Sequence, residues 1–114
     1  MRKLCLVGVV LATACGGAAV PQETLTAAKA AVTGAEVAGA GTEPEAALHL
    51  KLAKEQVTKA EALIKDGDNE EAARVIDRAQ ADADLALSLA KEGTAKKEAQ
   101  DTHEQLERLK KHSQ

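Results

Sequence analysis

The sequence predicts an all-α protein: a short N-terminal helix, then an antiparallel helical hairpin with a long C-terminal helix, packed as a small three-helix bundle or coiled coil. Three observations predict this fold class. The 114 residues include no Phe, Tyr or Trp, and alanine is the commonest residue, followed by Leu, Lys and Glu, a composition typical of long helices. Small and aliphatic side chains recur three and four residues apart. Glycine and proline divide this pattern into separate segments.

The first helix is predicted from about Gln22 to Ala38. Pro21 precedes it, and proline is favoured where a helix starts. The end of this helix is weakly defined because several glycines follow one another there. The residues expected on its buried face are spaced three or four apart, namely Leu25, Ala28, Val32 and Ala35.

A second helix is predicted to start in the sequence TEPE and to run to about Lys65. We expect Thr42 to cap it, Pro44 to occupy its first turn and Glu45 to complete a capping box. His49 is interpreted as a residue on the face of this helix. The expected apolar stripe alternates between spacings of three and four, through Leu50, Ala53, Val57, Ala60 and Ile64.

The sequence DGDNEE predicts the short turn of the hairpin. Gly67 can adopt the left-handed conformation that ends a helix, and Asp68 can cap the next helix with Glu71 three residues later. The third helix is predicted from near Asn69. Its stripe is almost entirely alanine, at Ala72, Ile76, Ala79, Ala83, Ala86 and Ala90. Such a core buries little area, so we expect the isolated monomer to be marginally stable.

We expect the third helix to continue through Gly93 rather than to end there. Glu92 and Lys96 lie four residues apart across this glycine, in the favoured order. The same arrangement recurs at Glu55/Lys59, Glu61/Lys65, Glu70/Arg74, Glu104/Arg108 and Glu107/Lys111. Beyond Gly93 the stripe passes through Ala99, Thr102, Leu106 and Leu109, out of phase with the stripe before it. This tail is therefore predicted to be exposed or to pair with another chain.

The N-terminus has the pattern of a secretory signal peptide, predicted for residues 1–14. A basic head, Met1 to Lys3, precedes eleven apolar residues from Leu4 to Ala14. As a helix this run would be about 16 Å long, roughly half of what a bilayer requires. The sequence Ala12-Thr13-Ala14-Cys15 resembles the lipobox of bacterial lipoproteins. The resemblance implies that the signal is removed before Cys15 and that the Cys15 thiol is lipidated.

This resemblance organises the chain into a signal peptide (1–14), a lipidated tether (15–21) and a helical domain (22–114). Lipidation on Cys15 implies a membrane anchor, since two or more acyl chains hold a protein stably to a bilayer. Gly16 after the cysteine favours the outer membrane, facing the periplasm. A disulfide with Cys5, which the count of two cysteines allows, is disfavoured because Cys5 lies in the removed segment. The remaining alternative is a secreted protein without an anchor.

Residues from about Pro21 to Gln100 resemble the uncharacterised bacterial domain of unknown function 4398, an alanine-rich helical region often found on lipoproteins. Residues 101–114 form a helical tail beyond it. The family has no established activity, so the resemblance implies a fold and no reaction. It is carried by Leu52-Ala53, Ala60, Gly67-Asp68, Ala72, Ala79, Asp82-Ala83 and Ala86.

Few residues indicate chemistry. DGDNEE lacks the glycine that a calcium loop needs at its sixth position, and the HEQLE sequence at His103 has Glu107 where a zinc-protease helix has its second histidine. We therefore predict no catalytic residues, no metal site and no cofactor. Removing Arg2 and Lys3 would leave 13 basic and 18 acidic residues, a net charge of −5, which does not favour nucleic acid.

The sequence thus predicts a non-enzymatic lipoprotein of the cell envelope, held in the outer membrane through Cys15. Its helical hairpin would be presented to an envelope protein that the sequence does not identify, and self-association is a second expected interaction. The alternative is a structural coiled-coil spacer lipoprotein, against which the glycine and proline breaks argue.

Overall fold

The computed structural model describes residues 17–114 of the chain. Within this range it consists of three α-helices and one 3₁₀ turn, without a β-strand. The all-α fold with a helical hairpin and a long C-terminal helix is thereby confirmed. The predicted signal peptide and Cys15 lie outside the described residues. The elements are α1 (Gln22–Val37), η1 (Ala40–Thr42), α2 (Pro44–Lys65) and α3 (Asn69–His112).

Helix α1 buries the face that its sequence predicts. Leu25, Ala28, Val32 and Ala35 are all buried. The helix ends because Gly39 takes a positive φ of 85°, a backbone conformation that costs little only without a side chain. The chain then turns through η1 and reverses direction into α2.

The start of α2 corrects the predicted capping box. The Thr42 hydroxyl donates to the Gly39 carbonyl oxygen at 2.8 Å, so Thr42 completes η1 and does not cap α2. Glu43 is the residue that precedes α2, Pro44 takes the first helical position, and no side chain of the described residues caps this end. Thr42 was a plausible cap by spacing, but the 3₁₀ turn places it one residue too early.

The turn between α2 and α3 has the predicted chemistry. Gly67 has a φ of 80°, and the N–H groups of Gly67 and Asp68 donate to the carbonyl oxygens of Ile64 and Leu63 at 3.1 and 2.9 Å. This pair of bonds is a Schellman motif. A carboxylate oxygen of Asp68 then accepts the Glu71 N–H at 3.3 Å and caps α3. Both roles predicted for DGDNEE are confirmed.

The core is built mostly from alanine. All six residues of the stripe predicted for α3 are buried, together with Val75, which the pattern missed. Ile76 and Val75 are the largest fully buried side chains of the described region. On α2, Leu50, Ala53 and Ala60 are buried, whereas Val57 and Ile64 are only partly buried. Alanine faces allow close packing but bury little apolar area, so the few larger side chains carry much of the stabilisation.

Three of the six predicted ion pairs within helices are present, at Glu70–Arg74, Glu92–Lys96 and Glu104–Arg108. The other three are wrong. Glu61 instead pairs with Lys29 on α1, Glu55 pairs with Lys51, and Glu107 pairs with Lys110. A further pair, between Lys54 and Glu36, also joins α1 to α2. Glu61, which was expected to stabilise α2 internally, therefore connects it to α1.

Helix α3 is continuous through Gly93, as predicted. Its buried residues end at Ala90, but the helix continues to His112. We call residues 94–112 the free arm. All of its residues are exposed except Glu107, which is half-buried. At a rise of about 1.5 Å per residue, α3 is about 66 Å long and the free arm about 28 Å. No helix in the described part of the chain is long and apolar enough to cross a membrane.

The two ends of the bundle differ. The Asn69 side-chain amide donates to the Ala18 carbonyl oxygen at 2.9 Å, so the segment leading into α1 lies beside the turn between α2 and α3. Helices α1 and α3 start at this end, and α2 returns to it. The free arm leaves from the opposite end, where Glu43 precedes α2 and contacts α3.

Candidate functional site

A polar cluster lies between α2 and α3 in the middle of the alanine-rich interface. His49 Nδ1 is 2.8 Å from Asp82 Oδ1, and the Gln56 amide donates to Asp82 Oδ2 at 2.9 Å. Because a carboxylate only accepts hydrogen bonds, the Nδ1 atom of His49 carries the proton and donates it. The side chains of His49 and Asp82 are about four-fifths buried, with exposed fractions of 22% and 21%.

The cluster fixes the register of α2 against α3. Alanine faces slide past each other easily, whereas Asp82 accepts bonds from two residues seven apart on α2, which only one register allows. In the described region His49 has no hydrogen bond to a hydroxyl or thiol, so it is not paired with a nucleophile. His49 had been interpreted only as a helix-face residue. Its spacing of seven from Gln56 was the available signal that both face the same partner.

We expect Asp82→Ala to lower the free energy of unfolding by about 1–3 kcal/mol, because His49 and Gln56 lose their acceptor in a largely buried place. Asp82→Asn should retain most of the stability, since its amide oxygen still accepts from His49. Urea unfolding followed by circular dichroism measures both. Asp84→Ala, an exposed change two residues away, is the control. Equal stability of the Asp82→Ala and Asp84→Ala variants would contradict a role of Asp82 in holding the helices.

At the base of the free arm, the Glu43 side chain packs into a notch in α3 at Gly93. A β-carbon built on Gly93 would lie 2.7 Å from Cγ and Cδ of Glu43, so glycine is needed for this close approach. The carboxylate of Glu43 then reaches Lys97 at 3.4 Å. An open cleft of about 260 Å³ lies beside this contact, between the start of α2 and α3. Gly93, through which α3 was predicted to continue, is therefore also a packing contact.

We expect Gly93→Ala to be nearly neutral alone but to stabilise the protein by about 1 kcal/mol in a Glu43→Ala background. The gain is the higher helix propensity of alanine, and in the native chain it is offset by displacement of the Glu43 side chain. A double-mutant cycle by thermal unfolding measures this difference.

Gly34→Ala, in the interior of α1, provides the control for this cycle. No atom lies within 4 Å of a β-carbon built there, so the full gain should appear without a second change. If Gly93→Ala changed the stability equally in the two backgrounds, a packing contact between Gly93 and the Glu43 side chain would be excluded.

The free arm presents apolar and charged side chains to solvent. Leu106 and Leu109 expose 51% and 67% of their surface. Next to the base of the arm, the hydrogen bond from Lys96 lowers the pKa of Glu92, and the same contact raises the pKa of Lys96. The arm is thus a charged helix with an exposed apolar stripe.

The residues weighed for metal chemistry are not brought together. Asp68 caps α3, and His103 and Glu107 lie on the free arm. No group of three or more His, Cys, Asp or Glu side chains arranged to hold a metal ion occurs in residues 17–114. The lipidation site predicted at Cys15 lies outside the described residues, two positions before the exposed segment that leads to Ala18.

These features define an alanine-rich helical hairpin with a protruding arm. The family of the domain of unknown function DUF4398 matches residues 23–102, more than half of the chain, and the chain belongs to this family. The match covers the bundle, the polar cluster and the first part of the arm, and it ends before Leu106 and Leu109. No curated protein and no solved structure matches the chain significantly.

Proposed function

We propose that this protein is a non-enzymatic lipoprotein of the bacterial outer membrane, anchored through Cys15 and facing the periplasm. In this proposal the helical hairpin is presented to an envelope protein. The observation that carries the proposal is the N-terminal sequence, in which a basic head and a short apolar run lead to LATACGG and its Cys15.

The arrangement of the described residues supports this proposal. Only a short segment separates Cys15 from α1, and its Ala18 is bonded to Asn69 at the turn end of the hairpin. An anchor at Cys15 would therefore hold that end towards the bilayer. The free arm, which leaves the opposite end, would extend away from the membrane and reach the partner first.

Metabolic labelling with a clickable fatty acid tests the anchor. We expect the wild-type chain to incorporate the label in a bacterial host, to fractionate with the outer membrane and to be released only by detergent. Cys15→Ala should abolish incorporation, because the thiol that would receive the lipid is gone.

Cys5→Ala is the matched control, since Cys5 lies in the segment predicted to be removed. This variant should be labelled like the wild type. Equally low incorporation by the wild type and by Cys15→Ala would refute the lipid anchor. If Cys5→Ala lost the label and Cys15→Ala kept it, the lipid would be on Cys5 and not on Cys15.

A second candidate is a structural spacer of the envelope, and the length of α3 favours it. The helix runs for 44 residues without interruption, although the glycine and proline breaks elsewhere in the sequence argue against a spacer. Chemical crosslinking of the purified chain distinguishes the two. A stable trimer in solution favours the spacer, whereas a monomer favours the hairpin that is presented to a partner.

A further inference from the structure

The segment that leads into α1 is held to the hairpin by a single hydrogen bond. We call residues 17–21 the strap. Asn69, the first residue of α3, donates from its side-chain amide to the Ala18 carbonyl oxygen at 2.9 Å. In the described part of the chain no other hydrogen bond joins the strap to α2 or α3. Residues 17–20 are exposed, so little buried area adds to this bond.

The Asn69 side chain is only partly satisfied in this contact. Its Oδ1 atom is buried and has no hydrogen-bond partner among the described residues. A buried acceptor without a donor is unfavourable, whereas the same atom can bind water once the strap moves away. The contact is therefore weak, because one neutral hydrogen bond favours the docked strap and the buried Oδ1 atom opposes it.

Helix α1 is held far more firmly than the strap. Four of its side chains are buried in the clusters shared with α2 and α3, namely Leu25, Ala28, Val32 and Ala35. Its Lys29 and Glu36 also form ion pairs with α2. At the helix start, the Leu25 N–H donates to the Pro21 carbonyl oxygen at 3.0 Å. Detachment of the strap therefore ends at Pro21, and the bundle stays folded.

We propose that the strap is a reversible latch, which exchanges between a docked state bonded to Asn69 and a released state. The latch sets how far the hairpin can lie from its anchor. This inference rests on the proposed lipidation of Cys15. It adds a regulation to that function, because one anchored chain then has two maximum distances from the membrane.

The two states differ in the length of free chain between the anchor and the bundle. With the strap docked, three residue steps separate Cys15 from the fixed Ala18, at most about 11 Å of extended chain. With the strap released, seven steps separate Cys15 from Gln22, at most about 25 Å. Release therefore lets the hairpin and its free arm lie up to about 14 Å further from the bilayer.

A pull along the bundle selects the released state. The strap lies at the turn end of the hairpin, and the free arm leaves the opposite end. A partner that holds the arm further from the membrane than the docked strap allows therefore pulls on the strap. The bond from Asn69 is the first contact to break, because α1 is held by buried side chains and ion pairs. The latch thus adjusts the protein to the distance of its partner without unfolding the bundle.

The distance between two spin labels tests the latch in the unlipidated full chain. Cys5→Ala and Cys15→Ala remove the native thiols, and Gly17→Cys and Ser88→Cys introduce the label sites. No atom lies within 4 Å of a β-carbon built on Gly17, and Ser88 is exposed on α3. Because 19 residues of helix separate Asn69 from Ser88, double electron–electron resonance should give a main distance of about 30 Å. A second component, longer and broader, reports the released strap.

Asn69→Ala in this labelled chain is expected to favour the released strap. The ratio of the longer to the shorter component should rise about two- to tenfold, the effect of one neutral hydrogen bond on such an equilibrium. The helical circular dichroism signal should be unchanged, since alanine is a good helix former and the Asp68 cap of α3 is kept.

Lys65→Ala is the matched control, because it is an exposed change at the same end of the bundle. It should leave both components as they are. Equal distance distributions with and without Asn69→Ala would overturn the latch, and a labelled chain without the longer component would overturn its reversibility. Neither result depends on lipid, so a failure of fatty-acid labelling would refute the anchor alone.

Discussion

Ile76→Ala is expected to lower the free energy of unfolding by about 2–5 kcal/mol, the range found when a large buried side chain is cut back to alanine. Ile76 exposes only 1% of its surface and packs in one cluster with Leu25 of α1 and Ala60 of α2. Three of the buried residues in this cluster are alanines, which have no side-chain freedom to fill the cavity. A loss of this size approaches the whole stability of a small domain.

Urea unfolding followed by circular dichroism at 222 nm measures this effect. Leu85→Ala on the same helix is the control, since Leu85 leaves 43% of its surface exposed and its loss should cost far less. If the two variants unfolded at the same urea concentration, the few large aliphatic residues would not carry the core. The alanine contacts would then be its main source of stability.

The helices and their buried faces could be predicted because the signals are local. A stripe at spacings of three and four specifies which side of a helix is buried before any partner is known. The Schellman turn at Gly67 and the cap at Asp68 depend on a few adjacent residues in the same way. The continuity of α3 through Gly93 followed from the charges on either side of it.

What the sequence did not predict depends on how the helices face one another. Glu61 could pair with Lys65 by spacing, but Lys29 of α1 lies across the interface and pairs with it instead. The bond between His49 and Asp82 likewise requires the relative rotation of α2 and α3. The Thr42 cap was wrong for a local reason, because η1 uses its hydroxyl.

The candidate sites differ in the same way: those with local signals could be predicted, and those that depend on contacts between helices could not. Lipidation of Cys15 is a statement about recognition of a linear sequence, so it could be predicted without a fold, and it stays a prediction. The exposed stripe beyond Gly93 could also be predicted, because it is out of phase with the buried one. The notch between Gly93 and Glu43 could not, since these residues are fifty positions apart in the sequence.

Ala83→Leu is expected to destabilise the protein by about 1–3 kcal/mol, although it adds apolar surface and keeps the helix propensity. Ala83 is fully buried in the cluster that contains Leu50 and Ala53 of α2. The three added carbons have no space there unless α2 moves away from α3. That movement would also separate Asp82 from His49, so the bond that fixes the register would weaken together with the packing.

Ala81→Leu isolates the cause of that loss. It makes the same substitution on the same helix two residues away, where the alanine is exposed, and its effect should be within about 0.5 kcal/mol of zero. Thermal and urea unfolding of both variants give the comparison. A stabilised Ala83→Leu would mean that the interface has room for larger residues. A destabilised Ala83→Leu, beside a neutral Ala81→Leu, means that position 83 requires alanine because α2 and α3 pack closely. This close packing is then the reason why the core is small.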